Sequence, residues 1–549
     1  MTRMIGTTDD KAMSLSADVW YLILRNVADR ADLARLCRVC KALYPLANRI
    51  LYRKITVGPP VVDRLTHLAY LMGMSQGQHR RSKSTGWAES LALVRRLAAD
   101  HNSAQTTAVC EIDIVSRFEH DFEHTKLHDM RPEFEEALPS FVSVLPNLRQ
   151  VRIFSPSPAF DTLFRVLHEH PNKPEIHLLR EDGSRPVSGP MPGVVTVKVS
   201  ASPWSDTPEK PNTVIPGTEK LFFACPDLKS FSLSVHNNYG GCMRPPIYHP
   251  IIKTFQFASS SGDEQVVVFP PLESLSLSGY DMDVDKEWPR WRDGLDWSRL
   301  KSLSLGLNPR YAGGPTMADL LEQFQGHATA LRSLTIQTWA AEGHETCPPL
   351  ESFLASFDAL EELTVKRHFV PIETLAGHSR LKRLCLHCIE TKRPEGAFRP
   401  TLGVADLARL DASCPDLESL EIDISRDDAA SGEWPNKILV EALAGSFSNL
   451  RRLTLHCEVG LVFDWSRPQD KPSLPLLDEA LIRAFAEPFF ASRGASKMER
   501  LTIKTGETLR RFPQWNPGYR LLEEASTRQF NAWLQITDGE VRVQEHFPA

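Results

Sequence analysis

One apolar spacing, Leu-x-x-Leu-x-Leu, recurs along most of this chain. It appears at Leu148/Val151/Ile153, Leu228/Phe231/Leu233, Ile252/Phe255/Phe257 and Leu272/Leu275/Leu277. It continues at seven further places, the last being Met498/Leu501/Ile503. From Leu228 onward the first positions follow one another at steps of 20 to 36 residues, with a final step of 48. The last two apolar positions are two apart, so in a strand they point to one face, and the first packs where the chain turns into the strand. Between these segments the spacing is often helical, as in "MADLLEQFQGHA" and "PNKILVEALAGSF". A strand followed by a helix cannot bury its own apolar face, and stacking copies supplies the missing wall. The pattern predicts an α/β repeat solenoid with a parallel sheet on its concave face. The phrase "CPDL" before the strand at Leu228, and again at Leu417, marks the same turn built twice.

Upstream the pattern weakens. "AVCEIDIV" (108–115) and "GVVTVKV" (193–199) read as strands of the same array with poor first positions, separated and followed by Pro/Ser/Gly-rich insertions near 180–220. The first residues have a different period. Ser16 is placed as a helix N-cap, Asp18 lies in the first turn, and Leu15 can staple onto Trp20. Val19, Leu22, Ile23 and Val27 follow as an amphipathic stripe. A second helix, "ADLARLCRVCKAL", ends at Pro45, which starts a third, "LANRILYRKI". The expected organisation is a disordered tail over 1–12, a three-helix module over 13–57, a helical or loop connector over 58–105, the solenoid over 106–505, and a cap or tail over 506–549. In that last part a helix and a hairpin turn at Asp538-Gly539 are predicted. Three short helices make a small core, so the module needs support from its neighbours or a partner.

Composition narrows the function classes. With 63 Lys+Arg against 69 Asp+Glu the chain has a net charge of −6, no basic field for nucleic acid, and no apolar run for a membrane. Ten cysteines in 549 residues are too dilute for a disulfide scaffold, which points to the cytoplasm or nucleus. The Gly-x-Ser-x-Gly match at "GMSQG" lacks the strand and helix that would make Ser75 a nucleophile. In "CLHC" (385–388) alternate strand residues diverge. His387 and His456 share a face, but with an intervening repeat they are expected about 10 Å apart. No metal, no cofactor and no enzymatic activity are expected.

The N-terminal residues resemble the F-box. Leu15, Asp18, Val19, Trp20, Ile23, Val27, Asp32, Leu33, Leu36, Val39, Cys40 and Leu43 fall at the places of that family's pattern, with Ser16 where the family usually has Pro. Its position ahead of leucine-rich repeats resembles the F-box proteins that serve as substrate receptors of SCF-type cullin–RING ubiquitin ligases. The resemblance implies that these helices dock a Skp-family adaptor, and through it cullin and RING subunits, using Leu15, Val19, Ile23, Leu33, Leu36, Val39 and Cys40. The repeats would then hold a protein target. The other reading is a leucine-rich-repeat scaffold whose N-terminal helices merely cap the solenoid.

The outward strand positions locate the target face. From Leu228 to Leu331 they are small or neutral, and from Leu360 onward charged. Lys366, Arg383, His387, Arg452, His456, Arg500 and Lys504 make the latter part a candidate for an acidic or phosphorylated target, since Arg presents a planar fork to carboxylate or phosphate. Glu421 and Asp423 lie among them and could neutralise Arg383 and Arg452.

Overall fold

The structure is a computed structural model. It describes residues 16–58, 86–115, 131–154, 160–181, 189–201, 214–235, 269–307, 317–338, 347–388, 400–424, 436–457, 478–505 and 529–546, apart from 28, 40–42, 281, 283–284, 494–496 and 535–539, together with Phe255. The chain divides into two compact units, Met1–Phe231 and Ser232–Ala549.

In the first unit, α1 (Ala17–Arg25), α2 (Arg30–Val39) and α3 (Tyr44–Arg53) form the expected three-helix module. Ser16 caps α1, its Oγ accepting from Val19 N at 3.4 Å, and Pro45 starts α3. The module's core is small: Leu24, Leu33 and Ala47 are buried, with Val27, Leu36, Cys37, Leu46, Ile50 and Leu51 packed around them. Arg30 ties α2 to the end of α3, donating to the carbonyls of Leu51 (2.7 Å) and Lys54 (3.0 Å). The support that so small a core needs comes from the next element: α3 also packs on the short helix Ala104–Ala108.

The sheet begins earlier than the expected start at 106. β1 (Lys54–Val57) leaves α3 directly and pairs in parallel with β2 (Glu111–Val115). β3 (Gln150–Phe154), β4 (Glu175–Glu181) and β5 (Val194–Ala201) follow in chain order, all parallel. β4 escapes the Leu-x-x-Leu-x-Leu pattern because Lys173 stands at the first apolar position, yet Ile176 and Leu178 fill the core positions. Of the stretch with Pro-rich insertions, β5 and the helix Val214–Ala224 are described, whereas 182–188 and 202–213 lie outside the described residues. β6 (Ser230–Val235) carries the division between the units.

In the second unit the strands are β7 (Ser274–Ser278), β8 (Ser302–Leu307), β9 (Ser333–Thr338), β10 (Glu362–Lys366), β11 (Arg383–His387), β12 (Ser419–Ile424), β13 (Arg452–Cys457) and β14 (Arg500–Thr505). Each pairs in parallel with the next. Register explains the repeated spacing. Leu275, Leu303, Leu334, Leu363, Leu384, Leu420, Leu453 and Leu501 lie side by side in one row, all buried. The first-position residues, from Leu272 through Leu450, are 0% exposed. Backing them are helices with buried faces at helical spacing, such as Leu320/Leu321/Phe324, Leu350/Phe353/Leu354 and Ile482/Phe485/Phe489. This is a leucine-rich-repeat solenoid.

The "CPDL" phrase is a closed turn. Leu417 N donates to Cys414 O at 3.2 Å, and Leu228 N to Cys225 O at 3.2 Å, with both cysteines 0% exposed. His378–Leu381 and Phe447–Leu450 close the same way with other buried residues. The phrase is therefore one way of filling a turn that recurs throughout. At its other end the second unit finishes in an antiparallel hairpin, β15 (Gln529–Leu534) and β16 (Val541–His546), which pairs onto β14. The antiparallel pair is the hairpin expected there, while the predicted turn residues Asp538-Gly539 lie outside the described residues. The helix predicted before it, like all of Ile252/Phe255/Phe257 except Phe255, lies outside the described residues.

Candidate functional site

In the first unit, α1 has two apolar faces. At ~100° per residue, Trp20, Leu24 and Val27 fall on one side, and Val19, Leu22 and Ile23 on another about 120° away. The first set turns to the module's core: Leu24 is 2% exposed and Val27 packs beside it. The second set faces outward, with Val19 40%, Leu22 56% and Ile23 44% exposed, and Tyr44 at the start of α3 is 43% exposed. Among the described residues the other large exposed apolar side chains are Val404 and Ile438, so four of six lie in this module. Concentrated exposure of this kind marks an interaction surface.

This revises the candidate list. Val19 and Ile23 are on the ridge. Leu33 is not available to a partner: it is 4% exposed and belongs to the module's own core, because the three helices have little else to bury. Leu36 is half-buried against that core. Leu15, Cys40 and the side chain of Val39 lie outside the described residues. Leu22 and Tyr44 were missed, although the i, i+3, i+4 spacing of Val19, Leu22 and Ile23 was there to find the first.

Several outward residues on the sheet of this unit pair with one another. Lys54 and Arg152 both reach Asp113 at 3.0 Å, Arg152 reaches Glu111 at 2.9 Å, and Gln150, His177 and Thr196 form a chain with links of 2.7 and 2.9 Å.

In the second unit the outward residues form three rows. The row at the far ends of β11–β13 holds His387, Asp423 and His456, and all three are buried, contrary to the expectation that the histidines line an open face. They are also not held apart. Their rings lean across Asp423 and stack with centroids 3.7 Å apart and planes at 22°. Strand spacing fixes the backbones, but side chains of this length close the gap over a shorter residue. His387 Nδ1 donates to Asp423 Oδ1 at 2.8 Å, whose second oxygen accepts from Cys388 N at 2.5 Å. His456 Nε2 donates to Glu421 Oε1 at 2.6 Å, and Lys504 Nζ reaches the same oxygen at 3.2 Å. Burial holds the His456 pKa down at about 4 against the pull of Glu421, so the ring is neutral at pH 7. Burial also opposes the charge on Glu421, but the hydrogen bonds from His456 and Lys504 outweigh it and hold that carboxyl well below the usual range.

One ligand atom from each of His387, Asp423 and His456 lies within 4.8 Å of the others. The stack does not suit a shared ion. A metal lies in the plane of each imidazole ligand, which at ~2.1 Å from nitrogen keeps two ring centroids about 5 Å apart.

The row at the strand starts stays open. Arg383 is paired with Glu362. Arg452 and Arg500 occupy neighbouring register positions, both exposed, and among the described residues neither side chain makes an ion pair or hydrogen bond. Glu421 and Asp423 do not neutralise Arg383 or Arg452 as expected, because one is engaged by His456 and Lys504 and the other by His387 and Cys388. Ser419 flanks Arg452 on β12. Beyond Arg500, half-buried Trp533 on β15 lies on the same face, two residues from Asn531, which bonds Thr502 at 2.9 Å. Lys366, half-buried, ends the basic set at β10.

The chain matches no protein-family profile, and no curated protein matches it in sequence. Among solved structures it is similar to one described as the crystal structure of the Rad7 and Elc1 complex in yeast. The identity is 12%, 81% of this chain and 94% of that chain are covered, and the TM-score is 0.33. A likeness of that degree says nothing of partners or activity. Among the described residues no helix is long and apolar enough to cross a membrane.

Proposed function

We propose that this chain is a non-catalytic recognition subunit of an SCF-type ubiquitin ligase, in which the N-terminal helices bind a Skp-family adaptor and the repeats bind a protein target. The observation that carries the first half is the exposed ridge of Val19, Leu22 and Ile23, joined by Tyr44. Capping the solenoid accounts for α3 and for the buried face of α1, but a cap needs a polar outer surface. The second apolar face of α1 serves nothing within the described module. Burying each of these side chains against a partner contributes about 1.5–3 kcal/mol, enough for a few central residues to dominate an interface. The resemblance to the F-box names the partner, and the regular sheet face offers a broad surface for a target. The proposed site of action is the cytoplasm or nucleus.

The test is capture of purified Skp-family adaptor by the full chain. Wild-type protein is expected to retain it, and Ile23→Asp or Leu22→Asp to lose it by about tenfold or more. Both variants should melt within about 1 °C of wild type, since surface substitutions change stability little. Leu33→Asp is the contrasting control, expected to unfold the module itself. If the wild-type chain retains no adaptor, the ligase reading is wrong and the helices are a cap.

A further inference from the structure

We propose that Arg452 and Arg500 form a clamp for a phosphorylated serine or threonine in an extended segment of the target. This deepens the target-binding half of the function above and rests on it.

Adjacent strands bring the two backbones within ~4.8 Å, so two guanidinium groups of like charge stand side by side. Like charges directly opposite one another destabilise a sheet. Elsewhere this protein avoids that arrangement by interleaving acids: Glu362 takes Arg383, Glu361 takes Lys382 at 2.9 Å, and Glu499 takes Arg451 at 3.1 Å. In the first unit Asp113 and Glu111 do the same for Arg152. Among the described residues no acid is interleaved at Arg452 and Arg500, because the acids nearest in the sheet, Glu421 and Asp423, are held one and two positions further along by the buried histidines and Lys504. The chain as a whole is negative, yet this point of its surface carries an uncompensated positive pair.

The chemistry of the pair selects the ligand. A carboxylate brings one charge and two oxygens, which satisfies one Arg fork and leaves the other exposed. A phosphate monoester brings about −1.5 to −2 charges and three acceptor oxygens, which match two forks. The Ser419 hydroxyl is the next donor along the row. On the other side, Trp533 presents a large amphipathic surface to a neighbouring side chain of the ligand. From Ser419 on β12 to Trp533 on β15 is three strand spacings, ~14 Å, the reach of about four extended residues. The site therefore fits a short stretch of peptide laid across the strand starts, its phosphate between the arginines.

The test uses the full chain and fluorescence anisotropy with three matched pools of short labelled peptides, differing only at one central position: phosphoserine, serine or glutamate. The phosphoserine pool is expected to bind, the serine pool not to, and the glutamate pool to bind weakly. Arg452→Gln and Arg500→Gln should each weaken binding by about tenfold, and the double variant should abolish it. Arg383→Gln, whose side chain is already paired with Glu362, should leave it unchanged. Equal binding of the serine pool, no binding of the phosphoserine pool, or wild-type behaviour of the double variant overturns the proposal. So does tighter binding of single-stranded DNA than of the phosphoserine pool, which would mark a general polyanion surface. The double Gln variant should still capture the adaptor through α1, so failure here and failure of the ligase reading are separately visible.

Discussion

Replacing Leu420 with alanine is expected to destabilise the second unit by about 3–5 kcal/mol, a large part of the 5–15 kcal/mol that holds a typical domain. Leu420 is 0% exposed and stands between Leu384 and Leu453 in the row that joins all the parallel strands of this unit. Truncation loses the transfer free energy of the side chain and leaves a cavity that rigid neighbours on both sides cannot fill. In a solenoid each repeat contacts only its neighbours, so the damage should be local. Hydrogen exchange should quicken in β11–β13 before β7–β9, and denaturant titration should show the loss of stability. Ser276→Ala, on the outward side of β7, is the reference and should change stability by less than about 0.5 kcal/mol. A Leu420→Ala protein as stable as Ser276→Ala would contradict the stacked-row account of this fold.

Acidification from pH 7 to pH 5 is expected to lower the melting temperature markedly. Burial lowers the pKa of His456 to about 4, and it also pulls down His170, His177, His368 and His378. A histidine with a depressed pKa binds its proton more readily when unfolded. Its neutral form therefore favours the fold above pH 6.5, and that contribution drains away as pH falls from 6.5 toward the folded value. For His456 alone the loss by pH 5 is about 2 kcal/mol. Glu421 works in the same direction at lower pH, because its depressed carboxyl favours the fold only while ionised. The groups around His456 are the His387 ring, Asp423, Glu421 and Lys504. Stability measured against pH should be steepest between pH 6.5 and 4, and His456→Gln, which keeps a donor for Glu421, should flatten the curve. A flat wild-type curve across that window would show that these rings are not held neutral by the fold.

Much of the frame was legible along the chain. The two-residue alternation in Leu275/Leu277 or Leu453/Leu455 fixes which side of a strand is apolar, whatever lies beside it. Ser16 and Pro45 announce helix starts through backbone chemistry that needs no distant partner. β4 was illegible because Lys173 stands where the first letter of its pattern would be, while its core residues Ile176 and Leu178 are intact. The candidate sites fared less evenly. Val19 and Ile23 are exposed and Arg452 and Arg500 are free of acids, whereas Leu33, His387 and His456 are buried and Arg383 and Lys504 are paired.

By itself, then, the sequence determined the elements, their inward faces and the repeat, because those depend on period and on local capping. Only the tertiary structure decided which of the two apolar faces of α1 the module consumes and which it leaves to a partner. It alone decided that His387 and His456 stack over Asp423 although their repeats lie far apart in the chain, and that among the described residues no acid reaches Arg452 or Arg500. These outcomes turn on register between segments distant in the chain and on the volume a neighbour fills, and neither is written in the period of any one segment.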